Sequence, residues 1–418
     1  MRLLATTARV AVRQTYGRGG VRCQRPATRP ACDDDPVTRP GTRTAVGVGT
    51  AVGVWLASRV ALVGFVLGAS ALMGVDAARR AQAPADWVLQ RFVWWDSLHF
   101  VRIADTGYLP PGLPCCDQAY FPGYPLLIAL ARPLTGDNTR ASALAVTAVA
   151  GLAAAVLLWH LARERIGPRG ATTAVVLLAV APYGLFFTVA YSESLFLALS
   201  LGAWWAAARR RWWVAGLLTT GAAVVRVNGL FLLAGLLVMY AGQLRRDGRV
   251  RPRTDLLALL LPVLAVGAWV GYLAHLTGSW NAWQQAQAVG WERRTAWPWQ
   301  GIAAGWAAIG SATTTDLVVA RWADLAFLLA GLALLAVLLG RRHWPEATYV
   351  GLSVGVLVCS TLIVSTPRYA LTWFPGYLLL AELLHRPGWR WVRIAVPLLC
   401  LPALGWLAVS FARHRWVA

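Results

Sequence analysis

The sequence predicts an all-α polytopic membrane protein with about eleven transmembrane helices, and three observations carry that prediction. Of its 418 residues 58% are hydrophobic and only 14% are charged, at a mean hydropathy of +0.54, whereas soluble domains carry roughly 25% charged residues. Apolar runs of about 17–25 residues, long enough to cross a hydrocarbon core as helices, recur from Ala45 onward. They are unbroken and rich in Leu, Ala and Val, which selects helices over a closed barrel. The third observation is how the charge is distributed.

The net charge is +21, and every basic residue is Arg. These residues cluster in short segments between apolar runs: Arg163/Arg165/Arg169, Arg209–Arg211, Arg245–Arg253 and Arg386–Arg393. Such spacing marks cytoplasmic loops that fix orientation in a membrane, so no nucleic-acid partner is expected. Arg without Lys, alongside abundant Ala and Gly, points to a GC-rich and actinobacterial genome.

Residues 1–44 are rich in Arg, Thr and Pro, have no hydrophobic period, and read as a disordered cytoplasmic tail. A polytopic domain over 45–411 follows, and 412–418 reads as a short external tail. With the Arg-rich loops inside, the expected spans are 45–73, 141–161, 171–190, 191–208, 212–225, 227–244, 254–276, 323–340, 347–366, 369–385 and 394–411. Residues 119–134 read as a half-helix or juxtamembrane helix that does not cross. The N-terminus falls inside, and both long non-apolar loops, 74–118 and 277–322, fall outside. So do Asp96, His99, Glu193, Arg226, Asn228 and Arg368, polar residues in apolar surroundings that together suggest one external cavity. The six Cys make no metal-ligand spacing. Adjacent Cys115 and Cys116 read as two thiols or as members of separate bridges, because a vicinal disulfide is strained.

The chemistry-bearing segments are short. In Trp94-Trp95-Asp96-Ser97-Leu98-His99-Phe100, Asp96 and His99 stand three apart and share a helix face. The aromatic residues seat that helix at the lipid–water boundary. Shielding from water would raise the pKa of Asp96 and make it a better base. Alternatively Asp96 caps its helix, pairs with Arg91 or Arg102, or begins a metal site with His99. Tyr120-Phe121-Pro122-Gly123-Tyr124-Pro125 is an aromatic-proline turn. Tyr191-Ser192-Glu193-Ser194 puts a carboxylate at a helix start, where it either acts or complements the helix dipole. Arg226-Val227-Asn228-Gly229 and Ser365-Thr366-Pro367-Arg368-Tyr369 each bring a guanidinium to a helix end, where it binds phosphate or snorkels to headgroups.

These segments, in this order from about 90 to 385, resemble the phosphatidylinositol-glycan class V (PIG-V) family of mannosyltransferases and its bacterial relatives. Where the family has Arg before Trp-Asp, Trp94 stands here. The resemblance implies a GT-C-like fold and a polyprenyl-phosphate-linked donor of a hexose, mannose in the family. The acceptor would be a glycolipid, a glycan or a protein, and catalysis would occur on the outer face. It does not imply GPI synthesis, which bacteria lack.

On this reading Asp96 takes the acceptor proton, and His99 or Glu193 orients a substrate. Arg368 and Arg226, with Asn228 and Tyr369, hold the donor phosphate, and one displacement inverts the anomeric centre. A single donor phosphate does not require a metal, and no other cofactor is called for. The rival readings are a lipid or glycan flippase, for which neither clear repeats nor broken midplane helices are seen, and a non-catalytic subunit.

Overall fold

The computed structural model describes residues 40–109, 116–248 and 254–417, with side chains of the first helix from 47 onward. Residues 1–39, Cys23, Cys32, Cys115 and the part of the Arg245–Arg253 cluster beyond 248 lie outside the described residues. Among the described residues the chain is helical, with one isolated bridge, Thr295 to Ser360, as its only extended pairing.

Helix α1 spans Pro40–Leu72. The first long loop then holds three short helices, α2 (Ala77–Gln82), α3 (Pro84–Gln90) and α4 (Asp96–Thr106). Helix α5 (Gly123–Ala131) has nine residues, and at 1.5 Å per residue it is about 14 Å long, half of what a crossing needs. Residues 119–134 therefore make a half-helix, as the sequence suggests. Helix α6 (Thr139–Ala179) covers two of the expected spans, with a kink at Gly167 (φ 72°) followed by Pro168. Its second half stops at Ala179, well short of 190. Residues 184–187 form a buried 3-10 turn instead.

Three hairpin helices follow: α7 (Glu193–Ala208), α8 (Trp212–Val225) and α9 (Asn228–Arg246). Then come α10 (Leu261–Thr277), α11 (Ala282–Trp291), α12 (Pro298–Gly310), α13 (Thr315–Gly340) and α14 (Trp344–Val358). The chain ends with α15 (Thr366–Ala370), α16 (Phe374–Leu384) and α17 (Arg390–Ala412). The expected single spans 347–366 and 369–385 are thus divided. Pro367 and Pro375 each lack a donor N–H and restart a helix in its first turn.

By length and apolarity five helices can cross a membrane unaided: Gly47–Leu72, Thr139–Ala179, Thr254–Thr277, Thr315–Gly340 and Arg390–Ala412. Glu193–Ala208, Trp212–Val225 and Phe374–Leu384 are shorter apolar helices. This is a multi-pass membrane protein, although five unaided spans are fewer than the eleven expected. Leu329, Leu332, Leu398 and Leu399 are exposed on the long helices, where lipid rather than water is the matching solvent.

Helix α7 is buried on nearly every side, packed between α6 and α8, while α9 packs against α14. Trp159, Trp204, Tyr349 and Phe374 fill this core completely. Two close approaches set the end of α8. A β-carbon at Gly229 would stand 2.3 Å from the Ala223 backbone, and one at Gly123 would stand 2.8 Å from the Val224 carbonyl oxygen. Only glycine fits either place.

Each of α7, α8 and α9 has one end near Glu193, Arg226 or Asn228 and the other at an Arg-rich turn. Those turns pair among themselves, through Arg165 with Glu346 at 2.5 Å, Arg210 with Asp247 at 2.5 Å and Arg341 with Glu382 at 2.8 Å. The basic turns and the motif residues therefore occupy opposite ends of the bundle.

Candidate active site

Helix α4 begins at Asp96 because the residue before it cannot be helical. Trp95 sits at φ 58°, ψ −123°, a region that costs a residue with a side chain about 1–3 kcal/mol and persists only where neighbours hold it. The neighbours are aromatic. The Trp94 ring lies 3.7 Å from that of His414, and Trp95 meets Trp416 edge-on at 5.2 Å. Residues 412–417, expected as a tail, thus fold back onto the start of α4.

Asp96 enters the first turn of α4, where a carboxylate complements the helix dipole. Its Oδ1 accepts from the Tyr120 hydroxyl at 2.9 Å and its Oδ2 from Arg368 Nη1 at 2.8 Å. Arg368 continues to Glu193 Oε1 through Nε and Nη2, each at 3.0 Å. Arg226 Nη1 donates to the same oxygen at 2.8 Å and to Ser192 Oγ at 3.2 Å. The Glu193 side chain is fully buried, and its Oε2 has no hydrogen-bond partner among the described residues. Asp96, Arg368, Glu193 and Arg226, from four separate segments, thus form one continuous chain of charges. Three Arg368 nitrogens are engaged by carboxylates, so the fork expected to take phosphate is already held by protein.

Tyr369 and Asn228 stand beside this chain. The Arg226 guanidinium lies 5.2 Å over the Tyr369 ring, and Asn228, almost fully buried at the start of α9, lines the same cavity. Arg293 belongs to none of the sequence motifs, yet it reaches the same place. The strand-like segment before α12 is tied down by Ala296 N–H to Cys359 O at 2.9 Å and Thr361 N–H to Arg294 O at 3.0 Å. That brings Arg293 Nη1 to the Tyr369 hydroxyl at 3.1 Å and its Nε to Ser360 Oγ at 3.2 Å. Among the described residues no carboxylate pairs with Arg293. Asp96, Tyr120, Arg226, Arg293 and Arg368 all face a cavity of about 830 Å³, opposite Gln284, Gln287 and Trp291 of α11.

His99 is not in this group. Its Nδ1 lies 2.7 Å from Asp117 Oδ1, and Arg102 Nε donates to Asp117 Oδ2 at 2.8 Å. Its ring stacks on Tyr120 at 4.6 Å. One turn of helix separates it from Asp96, and the side chains diverge to Asp117 and to Arg368.

The ionisation of Asp96 also differs from expectation. Burial pushes its carboxyl up, but the Arg368 guanidinium and the Tyr120 hydroxyl outweigh this and hold it below the ordinary carboxylate value. Burial likewise pushes Asp117 up while Arg102 and His99 bring it below. Cys116, read as a thiol or as a member of a separate bridge, is disulfide-bonded, with its partner outside the described residues. Among the described residues no three His, Cys, Asp or Glu gather as metal ligands.

Residues 77–247 match the family model for mannosyltransferase (PIG-V). GPI alpha-1,6-mannosyltransferase 2 of Mus musculus is 38% identical over 154 residues, 34% of this chain and 30% of the mouse protein. GPI mannosyltransferase 2 of Yarrowia lipolytica is 28% identical over 148 residues, 35% of this chain and 40% of the yeast protein. The matched part spans about a third of the length of these curated relatives. Among solved structures, ArnT from Cupriavidus metallidurans bound to undecaprenyl phosphate superposes with a TM-score of 0.50 over 89% of this chain and 65% of that one, at 16% identity. Four of the five motif segments fall inside the family match; Pro367-Arg368-Tyr369 falls beyond it, joined to the others by the Arg368 ion pairs. Over residues 77–247 the chain is therefore similar to the PIG-V mannosyltransferase family, and its fold is of the GT-C type.

Proposed function

We propose that the protein transfers a hexose, mannose by its family resemblance, from a polyprenyl-phosphate carrier to an acceptor hydroxyl in the cavity at Asp96. The observation that carries this reading is that Asp96 opens into a cavity whose other charged walls are arginines, Arg226 and Arg293 above all. A base then stands near cations suited to a leaving phosphate. The acceptor oxygen attacks the anomeric carbon and its proton passes to Asp96. The bond from that carbon to the phosphate oxygen breaks as the new one forms, so the anomeric configuration inverts.

The residues divide the work. Asp96 is kept ionised by Arg368 and Tyr120, so it is ready to accept at neutral pH; its low pKa makes it a weak base that takes the proton late, as the acceptor oxygen loses electron density. Glu193, shared by Arg226 and Arg368, fixes both guanidiniums without reacting. Arg293, which has no carboxylate partner among the described residues, and the remaining donors of Arg226 take the charge that develops on the phosphate. The name of the mouse relative supports mannose as the sugar, and the undecaprenyl phosphate bound to ArnT supports a lipid-phosphate carrier. The Arg-rich turns at the opposite end of the bundle support an external site, with the N-terminus in the cytoplasm.

Purified protein with polyprenyl-phosphate mannose and a panel of lipid, glycan and peptide acceptors tests the reading directly. A mannosylated product made by the native chain and lost in Asp96→Asn supports it. Equal product from Asp96→Asn, or donor left intact with every acceptor, would falsify it.

A further inference from the structure

We propose that the segment from Ala412 to Val417 is a positioning element of the active site, with Trp416 bracing Trp95 so that Asp96 meets Arg368 and Tyr120. The proposal rests on the reading of Asp96 as the base and goes beyond it, since nothing in the family match reaches this part of the chain.

The segment is anchored rather than loose. Helix α17 ends at Ala412, whose carbonyl accepts from the fully buried Arg91 Nη1 at 3.1 Å. Arg91 is also paired with Asp76, and His414 Nε2 lies 3.9 Å from the same carboxylate. The chain then turns through a left-handed His414 (φ 61°). Arg415 Nη1 pairs with Asp316 at 3.2 Å, and Val417 is 4% exposed. Between these anchors, the His414 ring lies tilted against Trp94 and Trp416 meets Trp95.

What the anchors hold is the strained residue next to the base. Trp94 is fixed from its other side too, its carbonyl accepting from the Tyr191 hydroxyl at 3.2 Å and the Ser97 hydroxyl at 2.8 Å. Trp95 is held by the Leu98 N–H on its carbonyl at 2.9 Å, inside α4, and by the Trp416 ring, yet it carries the positive φ that sets the direction of α4. A conformation of that kind relaxes when the contact holding it is removed, and relaxation at Trp95 moves Asp96, the next residue. Trp416 is half-buried and lines the cavity wall. Truncating it widens the cavity instead of leaving a sealed void, so the effect falls on turnover more than on folding.

The test uses the full chain and four proteins besides the native one: Trp416→Ala, Trp416→Phe, Asp96→Asn, and Asp96→Asn combined with Trp416→Ala. Readouts are kcat, donor KM and thermal unfolding. Misplacing a reacting group costs about 10²-fold, so Trp416→Ala is expected to lower kcat by about that factor. Donor KM and unfolding temperature should stay close to native. Trp416→Phe, which keeps an aromatic edge, should restore most of the rate. In the Asp96→Asn background the Ala substitution should cost nothing more, because the group it positions is gone. A raised KM with native kcat overturns the proposal, as does failure of the Phe variant to restore rate. If Asp96→Asn is impaired and Trp416→Ala adds its full factor on top, the brace falls while the base assignment stands. Normal transfer by Asp96→Asn removes the base assignment and the brace with it.

Discussion

Two clusters around α4 are built from nearly the same residue types, and they behave differently. One joins Asp96, Glu193, Arg226 and Arg368; the other joins Asp117, Arg102 and His99. Both hold carboxylates away from water and satisfy them with guanidinium groups. The second is closed: both Asp117 oxygens are engaged, and its ring member stacks on Tyr120. The first borders a cavity through Asp96, Arg226 and Arg368, keeps Glu193 buried behind them with one oxygen unbonded among the described residues, and has an additional arginine, Arg293, nearby with no carboxylate partner among the described residues. A fully satisfied polar cluster fixes structure. One that turns a carboxylate and a surplus cation to a cavity has capacity left for a ligand.

The sharpest way to break this comparison is to neutralise one carboxylate in each cluster. Asp96→Asn should fold and lose transfer by about 10²–10⁴-fold, the usual contribution of a positioned base. Asp117→Asn should leave most turnover intact. Equal loss in the two would erase the distinction.

Next in size is Arg293. Charge-assisted hydrogen bonds contribute about 1.5–3 kcal/mol, so Arg293→Ala should raise donor KM by about 10–10²-fold. Lys there keeps the charge without the planar fork and should recover only part of the loss. Unchanged donor KM would return the phosphate role to Arg226 alone.

The pH profile separates the clusters more finely. Asp96 must be ionised to accept a proton, and its pKa is lowered, so the acid limb of kcat should lie below the ordinary carboxylate range. In Arg368→Ala burial acts with less opposition, and the limb should move upward. An unmoved limb would mean that another group sets it.

Asp117 should be read in stability instead. Its folded pKa is depressed, so its contribution is present above the unfolded value of about 3.9 and disappears as pH falls through the folded one. Thermal unfolding should show Asp117→Asn destabilised by about 1.5–3 kcal/mol at neutral pH, with the gap to the native chain closing under acid.

The smallest effect concerns topology. Cys359 is a free thiol on the cavity wall and can report which side of the membrane the cavity faces. A membrane-impermeant maleimide should modify it in intact cells. Modification only after permeabilisation would place the cavity on the cytoplasmic side.

The helical membrane fold was legible because composition and run length alone require it. Asp96, Glu193, Arg226, Asn228 and Arg368 were legible as polar residues at the ends of apolar runs, and the fold brings four of them to one cavity with Glu193 buried behind Arg226 and Arg368. Helix division was not, because a hydropathy window averages across Gly167-Pro168, Pro367 and Pro375, which interrupt the backbone without lowering apolarity. His99 was placed beside Asp96 by helical spacing, which fixes a shared face but not where two side chains find partners. Arg293 lies in a charged Glu-Arg-Arg stretch of a long loop, and only the pairing of residues 294–296 with 359–361 brings it to Tyr369. Tyr120 was visible only as part of a turn.

The two glycines packed against the last turn of α8 carry this one step further. Gly123 belongs to one motif and Gly229 to another, about a hundred residues apart, and both press backbone to backbone on residues 222–225. Neither lines the cavity. They work as gauge blocks, setting to a fraction of an ångström how far the end of α8 stands from its neighbours, and Arg226 is the first residue past that end. A methyl group at either place would shift the guanidinium away from Glu193, so part of what looks like a chemical signature in this sequence is a mechanical tolerance.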